Sequence, residues 1–498
     1  MPDDAVSSLT QSSPETASAQ HPAQVDRWTA AALVLAAMAA LPIVTILVSA
    51  PSGGFEAIAH LAETVLLRYI GNTLALLVLA GGLATIIGTG CAWLVSAARF
   101  PGRRIFSWAL VLPLAVPAYI AAYIYADLLD FTGPVQTGLR AATGMGAGEY
   151  WFPQIRSLTG GAFVLGIVLY PYVYLLARAA FAAQSQSQFR AARSLGAAPW
   201  KAFWRVALPA ARPAIFGGLA LVLMEVLADF GVAQYFAIPT FSTGIFRSWL
   251  SMGDKQAALK LAAMMLIFVI GLIVWEARTR TGRTDSKDGL DQRDDAPLIG
   301  LPRSRQILAT IACLVPVTLG FLIPAAHLGS LAISERALSA TGDLWTYASG
   351  SLWLGLATAF VCLTTAIILA FAKARSNSRL ASGAIRVSTL GYALPGALLA
   401  VGLLAPLGAL DVGVSRFARE QFGYSGGLIL TGTSAILIYA LSVRFLTVAF
   451  NTVDGGLSKI PASLDAAARS LGAGPARVLA RIYVPLLSPS LAAAAALV

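Results

Sequence analysis

The stretch "AARSLGAAPW" occupies residues 191–200, and "AARSLGAGPA" occupies residues 467–476, 276 positions later. Aligning 189–215 with 465–491 gives eleven identical positions out of 27. In both copies the glycine, Gly196 or Gly472, is followed by proline at +3, +13 and +17. The repeat reaches beyond this phrase. Pro117 in "LAVPAYIAAY" precedes Pro395 in "YALPGALLAV" by 278 residues, and Arg99 precedes Arg375 by 276. A period this long predicts a duplicated domain.

The residues around the phrase place both halves in a membrane. Of 498 residues, 57% are hydrophobic and only 12% are charged. Ten apolar runs are long enough to cross a hydrocarbon core, which takes ~20 residues. They fall at 29–49, 71–96, 106–126, 160–183, 214–238, 258–275, 306–327, 350–372, 387–407 and 427–444, and an eleventh opens near Leu487. The runs are continuous rather than alternating, which excludes a β-barrel. The expected class is an all-α polytopic membrane protein with two tandem similar helical bundles.

The net charge of +11 has a membrane explanation and does not call for nucleic acid. The loops 98–105, 184–213, 278–305, 372–386 and 451–486 carry 23 Lys and Arg, and the alternate loops carry seven. The positive-inside rule then places the first set, both copies of the phrase and the N-terminus in the cytoplasm. Residues 1–28 read as a disordered cytoplasmic tail. Residues 29–277 form the first transmembrane domain, 278–305 a hydrophilic linker, and 306–498 the second transmembrane domain. The halves cross in the same sense, which predicts a pseudo-two-fold along the membrane normal. By comparison with the first half, the second is expected to be incomplete at its C-terminal end.

The phrase itself reads as a short helix, a turn and a second helix at the cytoplasmic surface. Gly196 and Gly472 suit the left-handed conformation that ends a helix. Pro199 and Pro475 suit the first turn of the next. Pro209 and Pro213 are expected to break that helix before the following span. Two copies at fixed spacing point to a rigid element that docks the same partner twice.

The phrase resembles the EAA loop of ABC-importer permeases, with Gly196 leading to "VALP" (206–209) and Gly472 to "IYVP" (482–485). The glutamate of that motif is replaced by Arg190 and Ala466, with Asp465 adjacent. The resemblance covers essentially the whole chain, as two fused permease domains. It implies ATPase-coupling roles for Ala191, Ala192, Arg193, Ser194, Leu195, Gly196, Pro199 and Pro209. In the second copy it implies the same for Asp465, Ala467, Ala468, Arg469, Ser470, Leu471, Gly472, Pro475 and Pro485. It also implies two copies of an ATP-binding subunit, a periplasmic substrate-binding protein, and a bacterial inner-membrane location. The chain has no G-x-x-x-x-G-K-[ST] phosphate loop, so ATP and Mg belong to the partner and this chain is not itself an enzyme.

Candidate pathway residues come from "LMEVLADFGVAQYF", where Glu225 and Asp229 are four apart and would share a helix face near mid-bilayer. A carboxylate there is costly and faces either a cavity or a partner from a neighbouring helix. Mid-span charge is otherwise expected to be lacking, which weighs against a secondary transporter. Tyr170 and Tyr172 in "LYPYVYLLARAAF" either face a pore or pack between helices. Arg178 and Arg444 are expected to snorkel at inner span ends. Cys91, Cys313 and Cys362 read as small core residues, and no catalytic, metal or cofactor site is expected. The stretches 152–181 and 224–249 resemble the fused ferric-iron importer permeases, which implies Fe(III) as substrate. Related permeases carry thiamine, polyamines or phosphonates.

Overall fold

The computed structural model describes residues 27–51, 62–146, 148–183, 199–280, 299–333, 343–376, 378–423, 427–428 and 430–498 without 462, 465–467, 469, 471 and 473. The tail and most of the linker therefore lie outside the described residues. So do Ala191, Ala192, Arg193, Ser194, Leu195, Gly196, Asp465, Ala467, Arg469 and Leu471.

The described chain is almost wholly helical, and its single sheet is the two-residue pairing Ala98↔Ile299 and Arg99↔Gly300. In the first half, α1 spans Arg27–Ser49, α2 Leu67–Ala97, α3 Arg103–Ala109, α4 Ala118–Leu129, α5 Pro134–Thr143, α6 Leu158–Ala183, α7 Leu208–Ala228, α8 Gly231–Tyr235, α9 Phe241–Phe246 and α10 Lys255–Arg280. The second half contributes α11 Arg303–Val317, α12 Ile323–Ala332, α13 Leu344–Arg375, α14 Arg379–Ser388, α15 Gly396–Phe422, α16 Ser434–Leu457 and α17 Ser488–Leu497. Among the described residues, nine helices are long and apolar enough to cross a membrane, or eleven spans if each of two bent pairs counts once.

The bends fall where proline interrupts the backbone pattern. The third apolar run is not one straight span but two helical segments, Arg103–Ala115 and Ala118–Thr143, bent by 89°. Its turn is the 3-10 segment Leu112–Ala115, with Pro117 as the N-cap of α4. The second half repeats the device, with a 3-10 turn at Gly391–Ala393 and Pro395 as the N-cap of α15. Proline lacks the N–H that the preceding helix would need, and its fixed φ suits a new start.

Pro209 and Pro213 behave differently from the sequence expectation. They do not break the helix: a π turn over Phe203–Ala207 runs directly into α7, which contains both. At Pro209, in the first turn, the missing N–H coincides with the loosened hydrogen-bonding register of the π turn, so the helix is kept. In the second copy, the π turn Leu479–Tyr483 leads into Val484–Leu486, and the chain then bends by 65° into α17.

Small residues let the central helices approach. At Gly88 of α2 an added Cβ would lie 2.8 Å from the Tyr170 carbonyl oxygen and the Val173 Cβ of α6. Where lipid supplies no hydrophobic drive between helices, such close contact is a main source of association.

The first long helix of each half packs on the other half. Helix α1 lies against α13, α14 and α15, and α11 and α12 lie against α2, α3 and α4. Hydrogen bonds pin the exchange. Tyr439 donates to the Met38 carbonyl at 2.6 Å, and Tyr125 donates to the Leu319 carbonyl at 2.5 Å. Gly402 meets Pro42 so closely that an added Cβ would lie 2.6 Å from its carbonyl oxygen.

Candidate functional site

Glu225 sits in the last turn of α7, and that helix ends at Ala228. Asp229 is extended, with φ −67 and ψ 124, so it does not share a helix face with Glu225 as the four-residue spacing suggests. Its carboxylate accepts from the backbone N–H of Val232 at 3.4 Å and of Ala233 at 3.1 Å. Asp229 thus caps the orphan amides that open α8, which is why the helix breaks here. Gly231 lets α8 press against Tyr119, since an added Cβ would lie 2.6 Å from that residue's Cβ.

Glu225 instead faces the second half. Its Oε2 is 3.7 Å from Arg444 Nη2, and Tyr392 Oη donates to its Oε1 at 3.4 Å. Tyr172 lies within electrostatic reach of Glu225, Tyr392 and Arg444. Tyr172 and Glu225 come from α6 and α7, and Tyr392 and Arg444 from the turn before α15 and from α16. The four side chains form a polar contact across the junction of the halves. The Glu225 and Arg444 side chains keep 25% and 30% of their exposure.

Arg444 is therefore a correction to the sequence reading: it lies within α16 and reaches across the junction rather than snorkelling. Arg178 donates from Nη1 to the Ser107 carbonyl at 2.5 Å, tying α6 to α3. Tyr170 does not join the junction cluster. It is fully buried, and its hydroxyl has no hydrogen-bond partner among the described residues. Residues two apart on a helix point to nearly opposite sides, so Tyr170 and Tyr172 have different surroundings.

Buried charge within the helices also extends beyond the two carboxylates that the sequence reading singled out. Lys260 in α10 and Asp411 in α15 are buried, at 2% and 0% exposure. Asp411 accepts from Leu430 N, Thr431 N and Thr431 Oγ1, the last two at 2.7 Å. Three donors satisfy this buried carboxylate, which fastens the segment ahead of α16. Among the described residues, no three His, Cys, Asp or Glu side chains converge as a metal-binding group would.

The described parts of the repeated phrase are consistent with its turn chemistry. Gly472 has φ 76, the left-handed conformation. Pro199 and Pro475 each open a short helix, Pro199–Ala202 and Pro475–Val478. Ala468 is buried and Ser470 is exposed. Pro485 enters the first turn of Val484–Leu486.

Elsewhere, α5 and the segment before α6 line an open cavity of about 350 Å³ that includes Asp130, Gln136, Tyr150 and Arg156. Arg156 Nε donates to Asp130 Oδ2 at 2.9 Å, and this carboxylate holds the guanidinium pKa above its ordinary value.

Residues 84–276 and 362–498 each match the family described as binding-protein-dependent transport system inner membrane component. The chain belongs to that family, twice over along its length. It is 24% identical over 436 residues, 86% of this chain and 78% of the relative, to the Fe(3+)-transport system permease protein FbpB 2 of Haemophilus influenzae. It is 26% identical over 468 residues, 88% of this chain and 78% of the relative, to the probable ABC transporter permease protein y4fN of Sinorhizobium fredii. The sulfate transport system permease protein CysW of Escherichia coli is 25% identical over 268 residues, 51% of this chain and 89% of that protein.

Proposed function

We propose that this chain is the fused permease of an ATP-driven importer that carries ferric iron from a periplasmic binding protein into the cytoplasm. The observation that carries the substrate is the extent of likeness. The relative named for Fe(3+) matches 86% of the chain at 24% identity, while the sulfate permease, a shorter protein matched over 89% of its own length, covers 51% at 25% identity. Two ATP-binding subunits dock at the repeated phrases around Gly196 and Gly472, with the N-terminus and those phrases in the cytoplasm. Nucleotide drives the cycle by binding one arrangement of the halves better than the other.

In this reading the contact of Glu225, Arg444, Tyr392 and Tyr172 is the gate. It joins the halves, and parting them separates Glu225 and Tyr172 on one side from Arg444 and Tyr392 on the other. The parted site would offer hard oxygen ligands to a passing Fe(III) from Glu225 and the two tyrosines. Asp229 serves the break that shapes the gate rather than the path itself.

The test is uptake into proteoliposomes holding the permease, its ATP-binding subunit and its binding protein. Radiolabelled ferric iron should accumulate with ATP, and labelled sulfate should not. Sulfate uptake without iron uptake would replace the substrate and keep the class. Uptake that needs an ion gradient and not ATP would overturn the class.

A further inference from the structure

A group of six arginines gathers at the basic end of the first half. Arg99 and Arg104 are exposed, and Arg103 and Arg178 are half-buried. Arg103 lies within electrostatic reach of the other three. The ladder Arg99↔Gly300 brings the incoming chain alongside, and Thr310 donates to the Pro101 carbonyl at 3.2 Å. This sets α11 against α3 and adds the exposed Arg303 and Arg305.

Two of the six have structural duties that leave their charge in place. Arg103 Nε donates to the Val95 carbonyl at 2.6 Å, closing the C-terminal turn of α2. Arg178 holds the Ser107 carbonyl. None of the six contacts a carboxylate among the described residues. The matching region of the second half differs, because Lys373 there meets Asp454 at 2.7 Å.

The surface directly beside these charges is apolar and open. On α3, Ile105 and Trp108 are 60% and 59% exposed while Phe106 and Ala109 are buried. On α11, Ile307 and Leu308 are 54% and 66% exposed. Cationic groups at the end of an apolar helix face, with a tryptophan near the boundary, match the layered chemistry of a phospholipid leaflet.

We propose that Arg99, Arg104, Arg303 and Arg305 bind the phosphate groups of anionic phospholipids, whose acyl chains lie along Ile105, Trp108, Ile307 and Leu308. The bound lipid neutralises a like-charged cluster that no carboxylate of the described chain relieves. It thereby fastens α11, a helix of the second half, to α3 of the first. The charge, which no carboxylate meets among the described residues, and the adjoining exposed apolar face together favour lipid over the ATP-binding subunit as the occupant.

The experiment uses the full chain, purified in mild detergent and offered phosphatidylglycerol or phosphatidylcholine. Native mass spectrometry counts the lipids retained. The wild type should retain phosphatidylglycerol in preference. The triple variant Arg104→Gln, Arg303→Gln, Arg305→Gln should lose that preference, and the matching Arg→Lys variant should recover most of it. Gel filtration and circular dichroism establish that each variant is folded. Lys373→Gln plus Arg386→Gln, in the second half, should leave retention unchanged. Equal retention by the wild type and the triple Gln variant would overturn the proposal. So would unchanged lipid retention with lost binding of the ATP-binding subunit, which would make the cluster a protein-docking surface. Competition by inorganic phosphate with no dependence on acyl chains would also overturn it, as a free-anion site.

Discussion

Removing either charge of the Glu225–Arg444 pair should weaken the junction of the halves by about 2 kcal/mol. At the observed 3.7 Å, two unit charges in an effective dielectric of about 20 attract by roughly 4 kcal/mol before solvation is counted. Exposed pairs contribute about 0–1 kcal/mol, and orphaning one member of a buried pair costs about 3–5 kcal/mol. With 25% and 30% of the side chains exposed, this pair falls between those limits. Glu225→Gln preserves shape and the Tyr392 contact, and Arg444→Met preserves length, so the two variants isolate the charges. We predict that each single change lowers stability by about 2 kcal/mol, roughly 30-fold in the equilibrium. The double variant should lose about as much as either single change, because no charge is left unpaired. The assay is a double-mutant cycle by equilibrium unfolding in mixed micelles of rising dodecyl sulfate content. Losses that simply add, within about 0.5 kcal/mol, would refute the coupling and with it the gate.

Asp229→Ala should cost about 1 kcal/mol through the lost cap of α8, with Asp229→Asn nearly neutral in both unfolding and uptake. Uptake abolished by the Asn variant would make Asp229 a pathway residue instead. Gly88→Ala should destabilise by about 1–3 kcal/mol by forcing α2 away from α6, and Gly90→Ala, which meets open space, should not. The same unfolding assay checks both, and equal effects would refute the close-approach argument. Gly472→Val should weaken co-purification of the ATP-binding subunit because a β-branched residue cannot hold φ 76 cheaply. Undiminished co-purification would remove the turn from the docking element.

Much of the fold is legible in residue order alone. Ten apolar runs find helices in the structure, and the 278-residue offset of Pro117 and Pro395 marks two 3-10 turns, each followed by a proline N-cap. Proline and glycine act locally, so their consequences can be read locally. The failures are of two kinds. Pro209 and Pro213 look like breakers, but a π turn ahead of α7 accommodates the first, and the helix runs through the second. Periodicity also carries the Glu225 helix past Ala228, because hydropathy does not register that Asp229 spends its oxygens on Val232 and Ala233. The partner of Glu225 was beyond reach for another reason. Arg444 lies 219 residues away, and only the packing of α7 on the second half brings them together. The same holds for Asp411, whose three donors come from a segment nineteen and twenty residues further on.

The exchange of first helices sets a timetable for synthesis. Helix α1 leaves the ribosome first, yet apart from α10 the helices it packs against begin with Leu344, about 300 residues later. At roughly 5–20 residues per second, that is a wait of some tens of seconds. During it α1 stands in the bilayer without its second-half partners, and the buried stripe of Ala32, Ala36 and Ala39 lacks its final packing. Those small residues expose little to regret in lipid, where a polar or large shape-specific face would invite premature pairing with α2 or α6. The order of assembly is thus written into the blandness of the first helix.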